Sequence, residues 1–383
     1  MRHFVNDIPP KAEPVQDYLT DVDTRLALFD KFRAICQKCD PLQQKFRPNA
    51  TILAVFMVAP VSEICTQLEV LQNMKQHRPI MVLGTLELAP YAMRTYIPRR
   101  RPANASDYPP TSIPSAILYE PGTSTPSGSV TRSGFAGQER DGHTCVFSGM
   151  PDPEAAHIFP FSTSEQKAFG SLSELLTTFW GSEKAIAWRQ HFEDLRVTQS
   201  AKNGISVNHQ IHFWFDNARL ALKPLRQTTQ GIFVQWHWLK RSVLKPNVYI
   251  LQGTDILHQA GVMDQCWGKA LAHRESGVRI QTGQILLLPS HENMPSWDLL
   301  EMQWDLLRVA ALCGAADVTD DYYNSEDPDE RGYDQGVAAK QRTLLAEFEK
   351  AKGEGTQGKA EVTDRGKGKG FDREDAGVEV TGD

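Results

Sequence analysis

Two short segments constrain the fold of this chain most. Each places histidine within an apolar pattern that predicts a regular element, a strand in the first segment and a helix in the second. The first is residues 143–161, in which HTCVFSG and EAAHIFPF flank the sequence MPDP. Apolar runs on either side of a Pro-Asp-Pro turn predict two short strands. On the second strand Glu154 and Ala156 would face one side of the sheet and His157 the other. The segment therefore predicts a strand that presents one histidine.

The second segment, residues 203–216, reads NGISVNHQIHFWFD and predicts a turn followed by a short helix. The initial Asn-Gly pair is typical of a turn. Asn208 is a suitable N-cap for a helix that runs to Asp216. Residues four apart lie on one face of a helix, so His212 and Asp216 would stand side by side. Together the two segments predict the order strand, strand, helix.

This order of residues resembles the HNH (His-Me finger) nucleases, in the branch found in many fungal proteins. The family pattern runs Cys…Gly…Glu-Ala-Ala-His-Ile-x-Pro and then Asn-Gly…His-x-x-Phe-Asp. The chain has CVFSGMPDPEAAHIFPF and NGISVNHQIHFWFD. The motif covers about residues 140–225, and a weaker similarity continues to about residue 317. The resemblance implies an α+β fold built on a ββα-metal finger, and an enzyme that hydrolyses nucleic-acid phosphodiester bonds.

By position, the resemblance assigns roles to four side chains. His157 matches the general base that takes a proton from the attacking water, and Asn203 matches the residue that orients this histidine. His212 matches the divalent-metal ligand nine positions later (212 − 203 = 9). Asp216 falls where some relatives have a second ligand on the helix. The chemistry agrees, because a neutral imidazole can activate water and a cation can neutralise charge on the leaving oxygen.

The chain departs from the family pattern immediately before His157. Most relatives have Asp or His there as a metal ligand, whereas this chain has Ala156. Glu154 lies on the same strand face, displaced by about 6.5 Å, and is a candidate ligand. Two interpretations follow. The first is an active endonuclease, and the second is a catalytically degenerate HNH fold that serves as a nucleic-acid or protein-binding module.

The predicted cofactor is one divalent cation. A hard cation such as Mg²⁺ keeps several waters and needs only one or two protein ligands. Mg²⁺ is therefore favoured, with Mn²⁺ or Zn²⁺ as alternatives. His143 and His209 are expected at the surface, although His209 and His212 could instead share an ion.

A segment rich in cations follows the predicted metal-binding helix. Residues 217–254 contain six basic residues and no Asp or Glu. Such a segment would suit contact with a phosphate backbone, or would be a solvated strand surface. Residues 318–383 hold 17 acidic and 10 basic residues, a net charge of −7, so the rest of the chain has a net charge of −6 + 7 = +1. The overall net charge of −6 therefore does not argue against a nucleic-acid partner. DNA is favoured over RNA. The candidate backbone contacts are Arg219, Lys223, Arg226, Lys240 and Arg241.

The chain is expected to contain five regions. The 45 residues between His157 and Asn203 exceed what a ββα finger needs, and we interpret them as a helical insertion. Ser296 is a plausible N-cap for a long amphipathic helix near the end of the ordered part. The regions are a helical N-terminal region (1–97), a linker or long loop (98–137), the HNH domain (138–230), an extension of strands and a helix packed on that domain (231–317), and an acidic disordered tail (318–383).

The sequence predicts an intracellular protein, with nucleus or cytoplasm left open. No apolar run near the first residue resembles a signal peptide, and no window reaches the roughly 18 apolar residues of a membrane helix. The six cysteines are too few and too scattered for a disulfide framework.

Overall fold

The computed structural model describes most of the chain up to residue 318. All of these residues lie in one structural unit, residues 1–337. The predicted linker lies outside the described residues, except for residues 136–137. The predicted tail also lies outside them, except for residue 318. The described residues are 18–38, 46–72, 78–97, 136–160, 169–240, 242–250, 257 and 271–318.

The described part of the N-terminal region is helical. Its helices are α1 (Val22–Lys38), α2 (Ala50–Val58), α3 (Val61–Gln72), α4 (Arg78–Glu87) and α5 (Ala89–Tyr96). Asn49 begins α2 by accepting a hydrogen bond from the Ile52 amide at 3.0 Å, and every residue of α2 is buried. Pro60 separates α2 from α3, because proline lacks an amide hydrogen and its ring clashes with the preceding turn. No helix formed by the described residues is long and apolar enough to cross a membrane.

The finger that carries the predicted site contains β1 (Glu154–His157), β2 (Gly204–Val207) and the helix α9 (His209–Asp216), which follows β2 directly. The strands are antiparallel, and the register pairs Glu154 with Val207 and His157 with Gly204. Asn208 caps α9, since its Oδ1 accepts a hydrogen bond from the Ile211 amide at 2.8 Å. The predicted helix and its cap are confirmed.

The prediction that residues 143–149 form the first strand of a hairpin is wrong. These residues form a turn with one isolated bridge to Pro151. The Cys145 amide donates to the Met150 carbonyl at 2.8 Å, and the Gly149 amide donates to the Cys145 carbonyl at 2.9 Å. Gly149 has φ +69°, a left-handed conformation that glycine adopts without strain. The chain therefore turns before it can extend, and β1 takes its partner from β2 instead.

Three helices lie between β1 and β2. They are α6 (Phe169–Phe179), α7 (Ser182–Glu193) and α8 (Leu195–Thr198). Leu172, Leu175, Leu176 and Phe179 of α6 are buried, and α6 contacts α5 and α7. A short 3₁₀ turn, Ala201–Asn203, then leads into β2. The Asn-Gly pair that predicted a turn thus ends this 3₁₀ turn and begins a strand.

A second antiparallel sheet and a long helix complete the core. The elements are β3 (Leu220–Thr228), β4 (Gly231–Trp238), β5 (Ile285–Pro289) and α10 (Trp297–Cys313). Ser296 caps α10 as predicted, with its Oγ 3.5 Å from the Leu299 amide. α10 packs against both α2 and β3, so it joins the N-terminal helices to the sheet. The fold is thus a mixture of helices and small antiparallel sheets.

Candidate active site

The Glu154 carboxylate contacts two histidines of α9. Its Oε2 lies 2.6 Å from Nδ1 of His212, and its Oε1 lies 2.9 Å from Nδ1 of His209. The strand register explains these contacts, because Glu154 pairs with Val207, the last residue of β2, and α9 begins two residues later. The first turn of the helix therefore passes beside Glu154. Although Glu154 precedes Ala156 by two residues, its carboxylate still reaches the helix.

The other side of the His212 ring faces Asp216. Its Nε2 lies 3.4 Å from Oδ2 of Asp216, as expected for residues four apart on a helix. The imidazole thus stands between two carboxylates, one from β1 and one from its own helix. The exposed fraction of the side chain is 44% for Glu154 and 83% for His209, so this cluster is open to solvent. We call Glu154, His209, His212 and Asp216 the acid–imidazole cluster.

The two histidines control the charge of Glu154. Partial burial would raise the pKa of Glu154, but hydrogen bonds with His212 and His209 and the charges of these rings lower it by more. The pKa is therefore held below its ordinary value. Glu154 is therefore a carboxylate at neutral pH, the form that can bind a cation or an imidazolium.

His157 lies at the opposite end of β1 and is half-buried. Burial lowers the pKa of His157, and the charge of His212 lowers it further. The two rings are therefore close enough to interact electrostatically. A lowered pKa leaves the imidazole neutral at pH 7, which is the form that can accept a proton.

Asn203 is fully buried beside the chain that follows His157. Its Oδ1 accepts a hydrogen bond from the Phe159 amide at 2.7 Å, and its Nδ2 donates to the carbonyls of Phe159 (2.9 Å) and Thr198 (3.0 Å). Its own carbonyl accepts from the Ile158 amide at 2.9 Å. These bonds hold the main chain on the C-terminal side of His157. Direct orientation of the imidazole ring by Asn203 stays a prediction.

A buried ion pair between Arg140 and Asp141 holds β2 in place, and the sequence did not predict it. Arg140 and Asp141 form two hydrogen bonds at 2.7 and 2.8 Å. The Arg140 guanidinium also donates to the carbonyls of Ala201, Gly204 and Asn293, and the Asp141 carboxylate accepts from the Ser206 amide at 3.0 Å. We call this pair the Arg140–Asp141 brace. An Arg-Asp dipeptide carries no motif, so only the three-dimensional structure could identify it.

The candidate phosphate contacts lie in different environments. Arg219 forms an ion pair with Asp317, and the Lys223 ammonium lies 6.0 Å from the ring centre of Trp304. Burial and the charge of Arg308 lower the pKa of Lys223. Arg226 is exposed on β3, Lys240 is partly exposed, and Arg241 lies outside the described residues. Contact of this set with a phosphate backbone stays a prediction.

The chemistry of the acid–imidazole cluster suits a divalent cation, since imidazole and carboxylate groups are common ligands. In the part of the chain that the structure describes, however, no three His, Cys, Asp or Glu side chains are arranged as a metal-binding group. Both carboxylates of the cluster are instead engaged with the nitrogens of His212. The donor types fit a cation, and a bound cation would replace contacts that these groups now make with one another.

Comparison with known families identifies the class of domain that this site belongs to. Residues 145–223 match the family model described as HNH endonuclease. The matched segment contains β1, β2 and α9, and with them His157, Asn203 and His212. The chain therefore carries an HNH endonuclease domain, as the sequence predicted, whereas membership of the branch found in fungal proteins stays a prediction. The chain matches no curated protein and no solved structure.

Proposed function

We propose that this chain is a metal-dependent endonuclease that hydrolyses phosphodiester bonds of nucleic acid, with His157 as the general base. One observation carries the proposal: a half-buried histidine of lowered pKa on β1 interacts with His212, which stands between two carboxylates. These residues come from two segments of the HNH domain. A proton acceptor and groups suited to a cation are the two requirements of this reaction.

In the proposed reaction His157 accepts a proton from a water molecule as the water oxygen attacks phosphorus. A new P–O bond forms, and the bond from phosphorus to the leaving sugar oxygen breaks. The leaving oxygen takes a proton from solvent water, and the imidazolium of His157 later returns its proton to solvent. The lowered pKa of His157 supports this role, because the ring is ready to accept a proton at neutral pH. Asn203 would hold the chain that follows the base, and thereby its position.

The residues that would hold the cation are Glu154, His212 and Asp216. His209 is added to this set, because it contacts the same carboxylate as His212. When bound, a divalent cation neutralises charge on the scissile phosphate and the leaving oxygen. Two carboxylates favour Mg²⁺ or Mn²⁺, and two imidazoles also suit Zn²⁺. We favour Mg²⁺ as the cation and DNA over RNA as the substrate.

A second candidate function is a degenerate HNH fold that binds nucleic acid or protein without cutting. Ala156 favours this alternative, since it replaces a metal ligand with a buried methyl group. The pairing of both carboxylates with His212 favours it too, because a charge-balanced cluster has less need of a cation. Calorimetric titration with Mg²⁺, Mn²⁺ and Zn²⁺ separates the two functions. The alternative predicts no binding that His212→Ala abolishes.

A plasmid-nicking assay with Mg²⁺ or Mn²⁺, with and without chelator, tests the proposed function. We expect nicking that chelator stops and that His157→Ala reduces by at least about 100-fold, the usual range for loss of a general base. The matched control is His143→Asn, because His143 is exposed and has φ +53°, which asparagine tolerates. Nicking that survives His157→Ala unchanged would rule out the assignment.

A further inference from the structure

Helix α9 carries His209, His212 and Asp216 of the acid–imidazole cluster on one polar face, and this face also includes a phenylalanine. Residues 209, 212, 213 and 216 are spaced i, i+3, i+4 and i+7, so their side chains share a face of α9. The opposite face holds Ile211 and Phe215, both buried. Phe213 lies on the polar face and is 52% exposed. An aromatic ring therefore stands in solvent immediately beside His212.

The neighbouring aromatic residue behaves differently. Trp214 packs edge-on against Trp238, with ring centres 5.1 Å apart, and so belongs to the interior contacts of the helix. Among the described residues, the only other exposed aromatic side chain is Tyr249, and the guanidinium of Arg47 lies over its ring. Phe213 is thus an exposed ring at the candidate active site rather than part of the packing of α9.

We propose that Phe213 stacks on an unpaired nucleobase next to the scissile phosphate, so that the preferred substrate is single-stranded or locally unpaired nucleic acid. This inference rests on the proposed function, because it requires a nucleic acid at His157. Aromatic side chains bind bases of any sequence through their faces. Within a continuous duplex these faces are covered by neighbouring base pairs, so a base must leave the stack before it can meet the ring.

The surroundings of Phe213 favour a base over a protein partner. The core of a protein interface is a set of adjoining apolar side chains that becomes fully buried. On α9 the ring stands alone between ionisable neighbours, His209, His212 and Asp216. A nucleobase suits this setting, because it combines an apolar face with polar edges. Its attached phosphate would lie within one nucleotide of the stacked ring, and so near the cluster.

The test is binding of labelled oligonucleotides measured by fluorescence anisotropy in chelator, so that no strand is cut. The probes are a single strand of about 12 nucleotides and the duplex of the same sequence. We expect Phe213→Ala to raise the Kd for the single strand by about 5- to 150-fold and to leave the Kd for the duplex unchanged. Phe213→Tyr keeps the ring and should bind as the wild type does. Ile186→Ala removes an equally exposed apolar side chain on α7 and serves as the matched control.

The outcomes distinguish this inference from the proposed function. If Phe213→Ala binds the single strand as the wild type does, or loses affinity equally for the duplex, stacking is refuted, and His157-dependent nicking would still support a nuclease. If stacking is observed but no cation supports nicking, hydrolysis is refuted and stacking stands. If the wild type binds neither probe in chelator, stacking is refuted, and the nicking assay with cation still decides the proposed function. Circular dichroism of each variant verifies that it is folded.

Discussion

Glu154 Oε2 lies 2.6 Å from Nδ1 of His212, although 58 residues separate the two side chains in sequence. Ala156 occupies the position at which most members of the family that the sequence resembles have a metal ligand. Its side chain is only 2% exposed. The acidic group of this finger therefore stands two residues earlier on β1. Pairing of Glu154 with Val207 brings that earlier position to the first turn of α9.

Neutralising Glu154 should weaken cation binding. In Glu154→Gln the amide cannot supply the charge that both histidines now contact, so we expect calorimetry to show a 10- to 100-fold loss of divalent-cation affinity, roughly as for other residues that support a metal site. Nicking should fall with it. Glu193→Gln, an exposed carboxylate on α7, should change neither. An unchanged affinity in Glu154→Gln would favour the degenerate HNH fold.

The pH dependence of cleavage should report the pKa of His157. Burial and the charge of His212 lower this pKa below 6.5, so the neutral base persists at more acidic pH than for an ordinary histidine. We expect the acidic limb of kcat/KM to have its midpoint below pH 6.5, measured at saturating cation. A midpoint above 6.5 would contradict the assignment of His157 as the base.

Removing the Asn203 side chain should destabilise the fold. Asn203→Ala deletes three hydrogen bonds and leaves buried main-chain groups of Phe159 and Thr198 without these partners. We expect the free energy of unfolding in urea to fall by about 2–4 kcal/mol. Lys202→Ala, at the exposed neighbouring position, should change it by less than about 0.5 kcal/mol. Equal effects of the two substitutions would refute this account.

Stability should decrease on acidification because of His237. This ring is fully buried, its Nε2 lies 3.0 Å from Oε1 of Gln235, and burial together with the charges of Lys223 and Arg308 lowers its pKa to about 3. Between the folded pKa and 6.5 the unfolded chain binds a proton that the folded protein does not. The free energy of unfolding should therefore fall as pH drops below 6.5, by at most about 1.4 kcal/mol per pH unit from this group.

Urea unfolding at about pH 5 and about pH 7 measures this effect. His237→Gln removes the titrating group, so its stability should depend less on pH than that of the wild type. His143→Asn is the control, because it removes one histidine from an exposed position instead of a buried one. Parallel pH dependence in wild type and His237→Gln would count against the prediction.

Local features of the site could be predicted from the sequence. The helix α9 and its cap Asn208 were predictable, because an N-cap residue followed by a short apolar pattern acts within one helical turn. The break at Pro60 is local in the same sense, because proline cannot continue the helix that precedes it. Each depends on the stereochemistry of the residue itself or of its immediate neighbours.

Features that depend on distant partners could not be predicted in this way. Residues 143–149 have apolar strand-like composition, yet Gly149 turns the chain and β1 pairs with β2. The contact of Glu154 with His209 depends on the register of these two strands, which no local pattern specifies. The contacts of Arg219 with Asp317 and of Lys223 with Trp304 could not be predicted either, because both partners come from the C-terminal part of the fold.

The Arg140–Asp141 brace determines how much of the chain must be kept for the finger to retain its shape. The family match begins at residue 145 and ends at residue 223, but Arg140, Asp141 and the Asn293 carbonyl all lie outside these limits. A fragment cut at the edges of the match would lose both residues that anchor β2. A fragment that keeps the brace must therefore extend from before residue 140 to beyond residue 293, past both ends of the family match.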